Sequence, residues 1–302
     1  MNENLLLNEN WYYQIEVDKG VFTSGNRHGN LALTRKLLRN ISLEGAHCLD
    51  IGTQEAVIPI LLMKNGAGKV VAYDRLNKSE KIDFLKTKYD VEFDYISGIQ
   101  LNDLPKALDE KGDRFFDVVV FSGVLYHMIN PMGLLALVRG LCRLKGLFLI
   151  ETAAVNSPEP QLLFNAGANL YTASSNYFVP TTGWLDYVLR MLGLRPLEAA
   201  YIERKDNIKT QRVAILCRSE EDACPLDSDD SWIFQPYHKQ IFADESQVDW
   251  SGLMKKTSQD RYCPAGNGTI ELSKDSLYKN IKKNKPYRIE KDKMVLTLEA
   301  EL

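Results

Sequence analysis

The sequence is short of three things: paired cysteines, long apolar runs and an excess of basic charge. Its five cysteines, Cys48, Cys142, Cys217, Cys224 and Cys263, are far apart and form no CxxC pair. That argues against a disulfide framework and against a zinc knuckle, so no metal is expected. Cys48 and Cys217 sit inside apolar runs, where a thiol serves as a small hydrophobe. No apolar run approaches the roughly 18 residues that span a membrane. The start, Met1-Asn2-Glu3-Asn4, lacks the basic opening of a secretion signal, so a cytoplasmic protein is expected. The formal net charge is −3 and the sequence pI about 5.9. Chains that grip RNA or DNA usually carry a basic surface, so this balance weighs against a nucleic acid while leaving room for a local basic patch.

What is present is globular in character. The chain has 302 residues, 45% hydrophobic and 25% charged, enough for one large domain or one domain with a smaller neighbour. Between Ala46 and Arg218, short apolar runs alternate with helical patterns. Strands are expected at Ala46–Ile51, Lys69–Asp74, Val91–Ile96, Phe115–Phe121 and Gly146–Thr152, buried because nearly every position is apolar. Helices are expected near 55–65, 77–89 and 131–143, the last carrying an apolar stripe of Leu134, Leu135, Leu137, Val138 and Leu141 behind Pro131. Strand, helix, strand in succession implies a parallel, doubly wound α/β sheet.

After a helix near Trp184–Leu192 come two more strands, around Leu197–Ile202 and Arg212–Cys217. Only a short polar link separates them, so they predict an antiparallel hairpin at the sheet edge. The acidic stretch Glu220–Ser231 reads as a linker. Four units result: a lead with a helix covering the active site (1–45), the main domain (46–218), the linker (219–231) and a small β-rich appendage (232–302). Strand candidates in the appendage are Trp232–Phe234, Thr269–Leu272 and Met294–Leu298, with no helix of assured length.

Three segments carry the candidate site. In Cys48-Leu49-Asp50-Ile51-Gly52-Thr53-Gln54-Glu55-Ala56, a strand ends in Asp-x-Gly and enters a helix. That geometry brings backbone N–H groups and a glycine close to a ligand. Pro59 should make this helix start late or kink. The second segment is Asp74, followed by Arg75; a strand-end carboxylate about 20 residues after a glycine turn can accept from ribose hydroxyls. In the third, the strand running into Ser122-Gly123 opens at the carboxyl edge of the sheet, where ligands of such folds bind, and Tyr126 and His127 follow at once.

At these residues the chain resembles the tRNA wobble-uridine carboxymethyltransferase family (with the tRNA 5-methoxyuridine methyltransferases) and its class I S-adenosylmethionine (SAM)-dependent relatives. Gly123-Val124-Leu125-Tyr126-His127 with Asn130-Pro131 matches the family's most specific motif. Leu149-Ile150-Glu151-Thr152 matches its strand ending in Glu-Thr, and Asn176–Thr181 with Trp184-Leu185 a further stretch. Trp11 to Gly25 is similar to its Trp/Tyr-rich lead. The likeness covers roughly residues 10–218. It implies a Rossmann-like methyltransferase sheet with the edge hairpin and SAM as cofactor. Asp50, Gly52 and Thr53 would line the methionine side, Asp74 and Arg75 the ribose. Ser97, Gly98 and Ile99 would flank the adenine, and Ser122, Gly123 and Tyr126 would close over the sulfonium. Lys19 and Arg212 are similar to residues that engage a carboxylated cofactor.

The chain also departs from that family. Thr53-Gln54-Glu55-Ala56 stands where a typical loop has Gly-x-Gly. Asn26-Arg27-His28-Gly29-Asn30 replaces a Trp/Lys pair that holds the extra carboxylate, which favours ordinary SAM over carboxy-SAM. Methyl transfer mainly requires alignment of nucleophile and methyl group. His127 is the first candidate base and Glu151 the second, with Tyr126 and Tyr177 orienting the acceptor. The expected reaction is methyl transfer to a small molecule, of the kind found in specialised metabolism. tRNA wobble modification competes with it, supported by the signature and by the basic run Lys279–Lys293, which otherwise reads as a solvated hairpin. Non-methylating SAM chemistry such as cyclisation, and a scaffold without catalysis, are the further alternatives.

Overall fold

The computed structural model describes residue 7 and residues 9–171, 175–203, 210–221, 260–264, 268–272 and 275–302. A short hairpin of β1 (Glu16–Asp18) and β2 (Val21–Phe22) leads into α1 (Gly29–Leu38). Then come β3 (His47–Ile51), α2 (Val57–Lys64), β4 (Lys69–Asp74), α3 (Ser79–Tyr89), β5 (Asp94–Ser97), α4 (Leu104–Glu110), β6 (Phe116–Ser122), α5 (Pro131–Gly140) and β7 (Cys142–Val155). A second hairpin, β8 (Leu162–Phe164) with β9 (Phe178–Pro180), precedes α6 (Thr182–Met191), β10 (Leu194–Ile202), β11 (Thr210–Ser219), β12 (Ile270–Glu271) and α7 (Leu277–Lys283).

Eight strands form one sheet in the order β12-β10-β11-β7-β6-β3-β4-β5. From β5 to β7 all pairs are parallel, whereas β11, β10 and β12 add antiparallel. This is the expected Rossmann-like sheet with its edge hairpin. Alternation along each strand divides the buried residues between two faces. Leu49, Ile51, Val71, Val119, Phe121 and Ile150 pack with α4, α5 and α6. Cys48, Val70, Ala72, Val118, Val120 and Leu149 pack with α1, α2 and α3. Both faces are covered, which is why the strands read as unbroken apolar runs.

Helix boundaries follow local chemistry. α2 begins only at Val57, so Pro59 falls in the first turn, where no N–H donor is missed. Asn130 caps α5 by accepting from the Gly133 amide at 3.1 Å, and Thr181 caps α6 through Trp184 at 3.1 Å. β7 runs past both ends of the expected 146–152, because β6 pairs with it from Cys142 and β11 supplies partners as far as Val155.

Among the described C-terminal residues there is one short strand and one α-helix, not the two strands expected there. Ile270 and Glu271 extend the main sheet beside Ala199 and Glu198. Residues 277–283 form a helix, with the Leu277 amide on Asp186 at 2.8 Å. The last residues strap α1 and α2: Arg35 donates to the Val295 carbonyl at 2.6 Å and Asn65 to Ala300 at 3.0 Å. The basic run is therefore a helix end and a strap rather than a hairpin, with the Tyr287 amide on the Tyr201 carbonyl at 2.7 Å. So short a segment buries its apolar side chains most readily in a core that already exists. Leu277 and Ile281 join one cluster, Leu296 and Ala300 the other. The strand expected at Trp232–Phe234 and linker residues 222–230 lie outside the described residues.

Candidate active site

Parallel register brings the candidate residues to one edge. Ile51 lies opposite Tyr73, Asp74 opposite Ser97 and Ser122 opposite Glu151. Asp50, Gly52, Asp74, Arg75, Ser97, Gly98, Ile99, Ser122 and Gly123 thus follow the carboxyl ends of neighbouring strands. The chain leaves β3 toward β4 on one side while β6 stands on the other, the crevice where open α/β sheets bind ligands.

The loop after β3 keeps the backbone shape of a glycine-rich turn without its glycines. Gly52, Gln54 and Ala56 all have positive φ, at 83°, 52° and 57°, a cost of about 1–2 kcal/mol for each non-glycine residue. At Gly52 a Cβ would lie 2.3 Å from Val124 Cγ2, so a side chain there would enter the wall of the crevice. Asp74 fixes the loop: its Oδ2 accepts from the Gln54 amide at 2.8 Å and its Oδ1 from Leu76 at 2.9 Å. Tyr13, Thr34, Asp50, Gly52, Thr53 and Ser122 line a small pocket at this edge, partly open to solvent. Asp50 Oδ2 is buried there without a hydrogen-bond partner. Burial raises its pKa to about 7; the nearby Thr53 hydroxyl opposes this and the Asp74 charge adds to it.

Beyond Gly123 the site changes character. Arg212 Nε donates to Glu151 Oε1 at 2.6 Å and Nη2 to the other carboxylate oxygen. Its Nη1 donates to the hydroxyls of Tyr126, at 3.2 Å, and Tyr171. Burial by itself would lower the Arg212 pKa, but Glu151 and the tyrosines hold it well above the usual range. Burial likewise pushes Tyr126 above its usual range, so its hydroxyl stays protonated. His127 meets Tyr126 edge to face, centroids 4.5 Å apart, with Nδ1 2.9 Å from the Ser175 carbonyl. That bond requires the hydrogen on Nδ1 and leaves Nε2 as the acceptor. Surrounding protein lowers the His127 pKa, so the ring is neutral near pH 7. Tyr177 is half exposed, its amide on the Tyr126 carbonyl at 2.8 Å.

Two expectations need correction. Glu151 is wholly buried with both oxygens engaged by Arg212, so it holds that arginine and is not placed to take a proton from an acceptor. Lys19 lies in the exposed turn between β1 and β2. The neighbouring Glu16 carbonyl accepts from Tyr89 at 2.6 Å, at the end of α3 from which the chain enters β5. This is the amino edge of the sheet, away from the site.

The sequence reading missed Glu55, Tyr171 and the individual residues of the lead. Glu55 stood only as a departure from Gly-x-Gly, yet its carboxylate accepts from the Tyr12 and Tyr13 amides at 3.2 and 3.3 Å. Tyr12 stacks on His28 with centroids 4.0 Å apart. The only signal for this lid was its density of Trp and Tyr.

Residues 25–188 match the model of a family described as a methyltransferase domain. Among curated relatives, the chain is 28% identical to a tRNA U34 carboxymethyltransferase of Alteromonas mediterranea, over 50% of this chain and 45% of that protein. It is 26% identical to one of Helicobacter pylori, over 46% and 54%. The chain spans about half the length of the curated relatives it matches. Among solved structures, the N-terminal domain of EvdMO1, determined in the presence of SAH and D-fucose, superposes with a TM-score of 0.53 at 15% identity, over 73% of this chain and 98% of that one. The [4+2]-cyclase SpnF superposes with a TM-score of 0.51 at 11% identity, over 70% and 87%.

Proposed function

Because the chain belongs to the methyltransferase-domain family, we propose that its SAM-dependent methyl transfer is directed at a small, largely uncharged acceptor. The observation that carries this is the rim of the acceptor side. Tyr12, Ile129, Met132, Phe164 and Tyr177 are exposed; Tyr12 stacks on His28, Ile129 and Met132 follow His127 in the chain, and the Tyr177 amide is bonded to the Tyr126 carbonyl. Phe164 lies against Phe178 at 5.5 Å, and the Asn165 amide bonds to the Tyr177 carbonyl at 2.8 Å. An aromatic and aliphatic rim suits a flat or apolar molecule, whereas a polynucleotide calls for a row of cations. No helix among the described residues is long and apolar enough to cross a membrane, and a cytoplasmic site of action fits the reading.

The crevice suits the cofactor. Asp50 offers a buried, unpartnered oxygen for the ammonium of the methionine moiety, Gly52 supplies close backbone approach, and Asp74 with Ser97 lies along the adenosine side. When bound, SAM supplies a methyl group on a sulfonium. His127 Nε2 would take the proton from a hydroxyl or other weakly acidic nucleophile. Tyr126 and Tyr177 would orient the acceptor, with Tyr126 held in place by Arg212. We assign ordinary SAM rather than carboxy-SAM, since Asn26-Arg27-His28-Gly29-Asn30 offers no counterpart of the Trp/Lys pair and an unpaired carboxylate would be desolvated without compensation.

The test is product trapping. The protein is given methyl-labelled SAM or, in parallel, carboxy-SAM, with a panel of phenols, small acids and amines, and separately with bulk tRNA, each followed by mass spectrometry. Label is expected in a small phenol. Label in tRNA alone would overturn the acceptor assignment, and transfer only from carboxy-SAM the cofactor assignment.

A further inference from the structure

We propose that Glu55 is a positioning residue that fastens the N-terminal lead across the cofactor cavity and so sets where Tyr12 and Tyr13 stand. The lead makes its own shape. Thr23 donates to the Tyr13 carbonyl at 2.7 Å and accepts from the Ile15 amide at 2.9 Å. Gly25 lets the chain double back, since a Cβ there would stand 2.0 Å from the Tyr13 carbonyl oxygen. The Glu55 carboxylate joins this folded lead to the cofactor loop. Glu55 is 1% exposed; it accepts from two consecutive amides of the lead, as described above, and from Lys78 Nζ at 3.1 Å. Lys78 also reaches the Gln54 side chain, so both residues of the loop are tied to the start of α3.

The two amides belong to residues with different tasks. Their rings meet edge to face, centroids 4.8 Å apart, and both rest against His28. Tyr13 contributes to the wall of the cofactor cavity beside Asp50 and Gly52. Tyr12, the more exposed of the two, stacks on His28 and lies within electrostatic range of Arg212, Tyr171 and Glu151. Glu55 therefore places one wall of the cofactor cavity and one wall of the acceptor mouth together. This gives a reason for the unusual loop. Left-handed turns at Gln54 and Ala56 keep the cradle, while the residue between them turns its carboxylate onto the lead.

The proposal rests on SAM occupying the crevice, and its test separates the two ideas. Hydrogen–deuterium exchange of the full chain is followed with and without S-adenosylhomocysteine, whose affinity is measured by calorimetry, for wild type, Glu55→Ala and Glu55→Gln. Glu55→Ala is expected to exchange at least about tenfold faster at the Tyr12 and Tyr13 amides and to bind S-adenosylhomocysteine about tenfold more weakly, the scale of losing bonds to a charged group. Glu55→Gln keeps one accepting oxygen and should lose only about threefold, with exchange in β6 and β7 unchanged in both. Unchanged exchange of the lead in Glu55→Ala would overturn the clamp. A loosened lead with affinity within twofold of wild type would overturn its positioning role. Should Glu55→Ala not fold, Glu55→Gln and Lys78→Met carry the same comparison. If wild type itself bound no S-adenosylhomocysteine, the cofactor reading would fall, while the exchange data would still decide the clamp.

Discussion

The cofactor edge and the acceptor mouth are built by opposite means. Along the cofactor edge the groups are strand ends and turn amides, fixed by parallel register: Asp50, Gly52, Asp74 and Ser97 follow from where β3, β4 and β5 stop. At the mouth the groups are side chains from far-separated segments, as in the bond between Tyr126 and Arg212, which are 86 residues apart. Backbone geometry makes the first half robust. The second depends on a single buried ion pair and the aromatic rings resting on it, so a change of one side chain should disturb the mouth much more than the edge.

The hardest way to break that contrast is to remove Glu151. Arg212 would be left charged and buried without its partner, and stability should fall by about 3–5 kcal/mol, read from urea unfolding. Replacing both residues, as Glu151→Leu with Arg212→Met, should recover most of the loss, because no orphan charge remains. A Glu151→Ala protein as stable as wild type would mean that the pair does not hold the mouth.

A smaller effect separates the two halves functionally. His127→Ala should lower turnover by about 100-fold, while affinity for S-adenosylhomocysteine changes little. Weakened cofactor binding would move His127 to the edge, and a loss under about fivefold would point to an amine acceptor already neutral at the assay pH.

The smallest effect probes the edge alone. With a pKa raised to about 7, Asp50 is largely protonated in mildly acidic buffer, whereas the cofactor's ammonium pairs with the ionised form. Affinity for S-adenosylhomocysteine should therefore rise as pH increases from about 5.5 to 7 and then level off, by at most about tenfold per unit. Asp50→Asn should flatten the profile; an unaltered profile in that variant would assign the titration to another group.

Legibility followed the same divide. Lys69–Asp74 was recognisable to the residue because an unbroken apolar run ended in a polar one. The strand expected at Phe115–Phe121 was readable for the same reason, one residue off the observed Phe116–Ser122, and with it the position of Gly123 and His127. Glu151 was found but given the wrong task, since a carboxylate at a strand end looks alike in sequence whether it is free or paired. Lys19 matched a family pattern, yet the β1–β2 hairpin carries it to the far edge.

The sequence by itself determined the sheet, its hairpin and the cofactor edge, because strand order and strand ends follow from local runs of apolar residues and the turns between them. Only the tertiary structure decided which side chain answers which. That Arg212 neutralises Glu151, that Glu55 holds the lead and that the C-terminal residues close the main core all depend on contacts between distant segments. Such contacts form where burial penalises any charge or amide left unpaired, and no local pattern records their partners.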